Sequence, residues 1–182
     1  TASAGAITYS NGNTSFYPNT NGNSYTRSTL GASSGKYYIE MKATEFNTGQ
    51  STGMSIVPYD EYNSSTGAGT YGFQIQLNSS NTQLKKEIAG SATTINSSFS
   101  SGSIAMMAVD LDNGKMWIGY NGTWYNDNNP STTLDTSNPD MTGIDTSIDY
   151  LIGFRGYMQG AYSSGYYNRA DVNFGNGYFG TT

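Results

Sequence analysis

The chain contains no cysteine and no histidine. Without cysteine there is no disulfide framework, no thiolate nucleophile and no Cys-containing zinc site. Without histidine the commonest general base near neutral pH is missing, and Ser-His-Asp chemistry is excluded. Charge is scarce as well: Asp, Glu, Lys and Arg make up 12% of the 182 residues, and 13 acidic against 8 basic groups leave a formal charge of −5. The only arginines are Arg27, Arg155 and Arg169, too few and too scattered to neutralise a nucleic-acid backbone. Long apolar runs are also absent. The longest, Ile104 to Val109, is the length of a strand, whereas a membrane helix needs about 20 residues.

What remains is rich in small polar residues and rings, with 23 Gly, 16 Tyr and abundant Asn, Ser and Thr. An aromatic content of 14% argues against disorder, because disordered segments are usually poor in aromatics. The length suits one domain able to bury a core without covalent staples, so residues 1–182 are expected to form a single domain. The chain begins at Thr1 with no recognisable signal peptide, and the sequence leaves open whether it is a piece of a longer chain.

Short alternating or apolar runs separated by Gly, Asn and Ser clusters recur throughout, and no helical period competes with them. In Lys36 to Ala43, Tyr37, Ile39 and Met41 share one face and Tyr38, Glu40 and Lys42 the other. Tyr71, Phe73, Ile75 and Leu77 repeat that period, and Met54, Ile56 and Val57 form a run ended by Pro58. Ser103 to Asn121 places Asn113-Gly114 between two strands and predicts a type I′ hairpin, in which both central residues have positive φ. Asn121-Gly122 marks a further turn before Trp124. Tyr150 to Tyr157 and Arg169 to Phe174 supply two late strands, the first apolar enough to be central. Residues 126–149, with Pro130, Pro139 and five Asp, form a long excursion without a clear strand.

The hairpin Val109-Asp110-Leu111-Asp112-Asn113-Gly114-Lys115-Met116-Trp117-Ile118-Gly119-Tyr120-Asn121-Gly122 resembles the central motif of SPRY (B30.2-type) domains. Gly35-Lys36-Tyr37-Tyr38-Ile39-Glu40 is similar to their early strand and Tyr71-Gly72-Phe73 to a later one. Val172-Asn173-Phe174-Gly175 is similar to the closing strand, particularly as it occurs in bacteriophage structural proteins. The resemblance spans about Gly5 to Phe179. It implies an all-β, two-sheet antiparallel sandwich of the SPRY or concanavalin-like jelly-roll type, with little or no helix. It also implies recognition of partners through loops, with no catalytic site.

The expected ligand-binding residues are chosen by chemistry. Tyr157, Gln159, Tyr162, Tyr166 and Tyr167 stand in a stretch of rings interleaved with small polar residues, the composition of an adaptable binding loop. Tyr59 and Tyr62 bracket Asp60-Glu61 in a turn, and Trp124 is the better candidate for an exposed indole. Trp117 shares parity with Lys115, opposite Met116 and Ile118, and parity leaves open which face is buried. No cofactor or metal is expected: Asp110 to Gly114 departs from the calcium-loop spacing, and Asp127, Asp135, Asp140 and Asp145 follow no fixed pattern. The paired carboxylates of a glycosidase are not evident, since Glu40 and Glu45 alternate to opposite sides of a continuous strand.

The reading is a non-catalytic recognition or structural module of a virion or other extracellular assembly, of the phage tail-fibre, spike or capsid-decoration type. Its partner would be a host-surface glycan or a neighbouring structural protein. A passive structural or oligomerisation module is the alternative, and a carbohydrate-active enzyme a weaker third. Nucleic-acid binding and membrane insertion are not expected.

Overall fold

The computed structural model describes residues 7–45, 51–60, 73–78, 83–88, 91–96, 100–158 and 168–175. These residues form fourteen strands and no helix. In chain order they are β1 (Ile7–Ser10), β2 (Ser15–Pro18), β3 (Gly22–Ala32), β4 (Lys36–Glu45), β5 (Ser51–Pro58), β6 (Phe73–Asn78) and β7 (Gln83–Ile88), followed by β8 (Ser91–Asn96), β9 (Ile104–Asp110), β10 (Lys115–Tyr120), β11 (Thr123–Trp124), β12 (Met141–Thr142), β13 (Tyr150–Met158) and β14 (Arg169–Asn173). One sheet runs β1-β2-β14-β4-β9-β10-β11, with β12 also paired to β10, and the other runs β3-β13-β5-β6-β7-β8. Every pairing is antiparallel. The all-β sandwich expected from the alternating pattern is the observed architecture. The strand from Tyr150 is central, flanked by β3 and β5.

The core lies between the sheets, where the period of two delivers Ile39, Met41 and Ala43 from β4, Ala105, Met107 and Val109 from β9, and Met116 and Ile118 from β10. Met54 and Ile56 from β5 and Phe154 from β13 face them from the other sheet. Five methionines, Met41, Met54, Met107, Met116 and Met141, belong to this cluster. Their unbranched, polarisable side chains fill the irregular space that two twisted sheets leave. Each such side chain contributes about 1.5–3 kcal/mol on burial.

The hairpin between β9 and β10 differs from the type I′ turn expected at Asn113-Gly114. Lys115 pairs with Asp110, so the loop is four residues long, and within it only Gly114 has positive φ, 63°. The cause is Asp110, whose carboxylate accepts the Asn113 backbone N–H at 3.0 Å and its side-chain amide at 2.9 Å, closing the turn one step early. The type I′ signature sits instead at Asn121 (φ 46°) and Gly122 (φ 83°), which join β10 to β11 with Tyr120 opposite Thr123. The longer loop sends Leu111 into the core at 3% exposure, while its N–H donates to the Gly35 carbonyl at 2.9 Å. Asp110 is itself buried.

Both faces of β10 are covered. Met116 and Ile118 enter the core, and Trp117 on the opposite face is also buried, its indole N–H donating to the Asp135 carbonyl at 2.8 Å. The 126–149 excursion supplies that cover. Beyond β11 it protects the edge of β10: Tyr125 N–H donates to the Ile118 carbonyl at 3.0 Å, and Asp140 accepts the Ile118 N–H at 2.8 Å. The other Asp140 oxygen accepts the Asp127 N–H at 3.0 Å, and the Lys86 ammonium donates to the Asp140 carbonyl at 2.9 Å. Burial pushes the Asp140 carboxyl above its ordinary value despite these donors. An unpaired strand edge is a site of unwanted pairing, and here a side-chain carboxylate stands in for the missing neighbour.

Gly114 is constrained twice, by its positive φ and because a Cβ there would lie 2.5 Å from the Ile144 carbonyl oxygen. Gly122 has the same φ sign but open space. Gly114→Ala should therefore cost about 2–4 kcal/mol, against about 1–2 kcal/mol for Gly122→Ala, as read from urea midpoints. Burial opposes ionisation of Asp110, but the Asn113 hydrogen bonds and the Lys36 ammonium at 3.5 Å outweigh it and hold its carboxyl below the ordinary 3.8. A depressed folded pKa contributes stability above the unfolded value that is lost as pH falls through the folded one. Asp110→Asn should thus be destabilised at neutral pH, with its difference from the parent shrinking below about pH 4 in urea titrations across the acid range.

Candidate functional site

Among the described residues β3 pairs with β13, and their register is broken between Leu151 and Gly153. On the β3 side the break is a bulge at Ser28-Thr29-Leu30, opposite Ile152, whose N–H donates to Ser28 Oγ at 3.0 Å. Ser28 Oγ in turn donates to the Leu30 carbonyl at 2.8 Å. The bulge is held by these bonds and projects Leu30 outward, 85% exposed. Across the sandwich, the Tyr9 hydroxyl on β1 donates to Thr26 Oγ1 on β3 and ties the two sheet edges together.

Between these elements the sheets stand apart, leaving a cleft of about 770 Å³. Its floor is the core itself, including Phe16, Ile39, Ile56, Val109, Phe154 and Val172. Its mouth carries Tyr9, Leu30, Tyr37 and Phe174, with Arg27 beside them. Five of the six exposed large apolar side chains among the described residues line this one cleft. Among the described residues no Asp, Glu or Lys lines it, and these residues present apolar surface, hydroxyls and one guanidinium. Tyr37, placed by parity with the core face of β4, is 43% exposed because the core opens there. Its hydroxyl donates to the Ser34 carbonyl at 2.8 Å.

The residues singled out from sequence fall elsewhere. Tyr157 belongs to β13, opposite Asn23 and Ser51, and is half-buried. Tyr59 is 63% exposed just past β5, its N–H bonded to the Asp149 carbonyl and its own carbonyl accepting from Arg27. Trp124 is half-buried on β11, with its ring centroid 6.0 Å from that of Tyr38 at an interplanar angle of 60°. None of these three lines the cleft. Tyr62, Gln159, Tyr162, Tyr166 and Tyr167 lie outside the described residues. The cleft residues escaped sequence reasoning because they come from β1, β3, β4 and β14, which only folding brings together. The one local signal was Leu30, an isolated large apolar residue in a polar stretch.

No protein-family model matches the sequence, and no curated protein matches it. The structure, by contrast, is similar to solved sandwiches over nearly its whole length. The SPRY domain of human HERC1 aligns with a TM-score of 0.63 at 15% identity, covering 94% of each chain. A human SPRY domain aligns with a TM-score of 0.59 at 11% identity, over 94% of this chain and 97% of that one. The carbohydrate-binding module CBM66 from Bacillus subtilis aligns with a TM-score of 0.51 at 10% identity, over 94% and 91%. The fold is a SPRY-type two-sheet sandwich.

Rim and floor make separable contributions. Leu30→Ser removes a solvated side chain and should change stability by no more than about 0.5 kcal/mol. Phe154→Ala empties a position packed 5.1 Å from the Phe16 ring and should cost about 3–5 kcal/mol. Denaturation midpoints of the two variants check the distinction.

Proposed function

We propose that this protein is a non-catalytic recognition module that seats apolar anchor side chains of a partner protein in the cleft between β3 and β4. The observation that carries this reading is the convergence of Tyr9, Leu30, Tyr37 and Phe174 on one cleft. Exposed apolar surface collected in one place, over a floor continuous with the core, is the physical signature of a surface meant to be covered. Tyrosine and phenylalanine suit such a rim because they bring large contact area with few rotatable bonds. Among the described residues the lining contains no carboxylate or ammonium group to transfer a proton, which supports binding rather than turnover.

The Ser28–Leu30 bulge breaks the β3–β13 register and presents Leu30 at the mouth of the cleft, where an incoming segment would meet it. Organisation as a single domain, and a setting on a virion surface or other extracellular assembly, belong to the same proposal. The setting is supported by the Ser, Thr, Asn and Gly richness and low charge of the sequence.

The test is selection of a random peptide display library on the immobilised protein, followed by calorimetric titration of the selected peptides. Peptides with aromatic or aliphatic anchors should emerge, and Leu30→Ser or Tyr37→Ser should weaken them by more than about tenfold, as loss of a central anchor does. Joint replacement of Tyr162, Tyr166 and Tyr167 with Ala should leave their affinity unchanged. Loss of binding in that triple variant alone would move recognition to the 157–167 segment, and a selection that yields no binders would remove the cleft reading.

A further inference from the structure

A second surface lies on the outer face of the β1-to-β11 sheet and shares only Tyr38 with the border of the cleft. Strand register places Asn173, Glu40, Met106, Gly119 and Trp124 side by side in one row across β14, β4, β9, β10 and β11. Tyr38, two residues before Glu40, shares that face and leans toward Trp124, so the two rings make a tilted corner at 6.0 Å and 60°. Gly119 has no side chain in the row. Met106 fills that space, its methyl 3.1 Å from where a Gly119 Cβ would stand, and is 6% exposed.

The carboxylate between the rings and Asn173 is held from both sides. Glu40 Oε1 accepts the Tyr38 hydroxyl at 2.5 Å, and Oε2 accepts the Asn173 amide at 3.1 Å. Asn173 is itself oriented, its Oδ1 accepting the Gly175 N–H at 2.9 Å. Burial and the neighbouring Glu40 push the Tyr38 hydroxyl well above its ordinary pKa, so it remains the donor in this pair. Each carboxylate oxygen has room for two hydrogen bonds and uses one internally. Among the described residues the Trp124 indole N–H has no acceptor. The result is a fixed, two-oxygen acceptor beside a ring corner, with one spare donor.

We propose that Tyr38, Glu40, Trp124 and Asn173 form a saccharide-binding site. A pyranose matches each part: its C–H face packs on a ring, two adjacent hydroxyls donate to the two carboxylate oxygens, and an oxygen accepts from the indole. A cationic group fits less well. Lys42 shares the face one step along β4 from Glu40, and its positive charge opposes a second cation. Two rings also leave the site open, whereas an ammonium site gains most when it is enclosed and desolvated. A flat, partly wet aromatic surface with an oriented acceptor favours a neutral polyol.

The probe is a panel of methyl pyranosides and of α- and β-linked oligosaccharides, titrated into the whole protein and followed by tryptophan fluorescence and calorimetry. At least one member should bind and quench or shift the fluorescence. Glu40→Gln, which keeps the shape but removes one acceptor, should weaken it by about tenfold or more, and Trp124→Ala should abolish the binding. Tyr38→Phe, which retains the ring and frees Glu40 Oε1, separates loss of stacking from loss of carboxylate alignment and should weaken binding less than Trp124→Ala. Circular dichroism and a urea midpoint for each variant establish that it is folded. The proposal is overturned if no saccharide binds, if binding survives both Glu40→Gln and Trp124→Ala in folded protein, or if tetramethylammonium binds at this site in place of the sugars. Peptide titrations with the cleft variants are read separately, so failure of either surface leaves the other standing.

Discussion

Gly156 on β13 lies so close to Pro18 on β2 that a Cβ would stand 2.9 Å from the proline Cδ. Two residues back along each strand, Phe154 meets Phe16 at 5.1 Å, and Phe154 also contacts Phe174 edge-on at 6.2 Å. These contacts set how near the two sheets come. Where the neighbour is a glycine the backbones close; where the neighbours are large rings the sheets are held apart. The cleft begins at those rings, with Phe16, Phe154 and Phe174 all in its lining. A larger residue at position 156 would push β13 away from β2, and the spacing on which the floor and mouth depend would go with it.

The other end of the β1-to-β11 sheet meets a different constraint. β10 would be left with only a two-residue neighbour at each end on one side, β11 and β12. The 126–149 excursion completes that edge with one backbone N–H and one buried carboxylate, and it covers Trp117 in doing so. A loop of this length without regular structure is often a site of function or motion. Here its hydrogen bonds to β10 and to Lys86 on β7 make it part of the scaffold. Trp124, at the near end of the same segment, is thereby held against Tyr38 on the open part of the face.

The two surfaces of this scaffold differ in chemistry. The cleft offers apolar depth with a rim of rings, suited to side chains of a partner. The outer face offers a shallow ring corner with an aligned carboxylate. Both draw on the consecutive pair Tyr37-Tyr38, because neighbouring residues on a strand point to opposite faces. The solved structures of this fold include SPRY domains and a carbohydrate-binding module. A shared two-sheet frame does not fix what is bound, which lies with the side chains at the surfaces.

Much of the fold was legible because it rests on local rules. The period of two in Lys36 to Ala43 identified the buried face of β4, and the apolar run from Tyr150 identified a central strand. The hairpin at Asn113-Gly114 was located correctly but its turn was not, because the Asp110 carboxylate competes for the backbone in a way a dipeptide signal does not reveal. Parity could not decide between Trp117 and Met116, since Met116 is buried in the core and a distant segment covers Trp117 on the other face. By itself, then, the sequence determined the absence of thiol and imidazole chemistry, the all-β class and strands such as β4, β9, β10 and β13, all of which follow from composition and near neighbours. The tertiary structure alone decided where the sheets part and which rings remain outside. It alone set which carboxylate is aimed at open surface, because those depend on contacts between residues such as Pro18 and Gly156, or Glu40 and Asn173, more than a hundred positions apart.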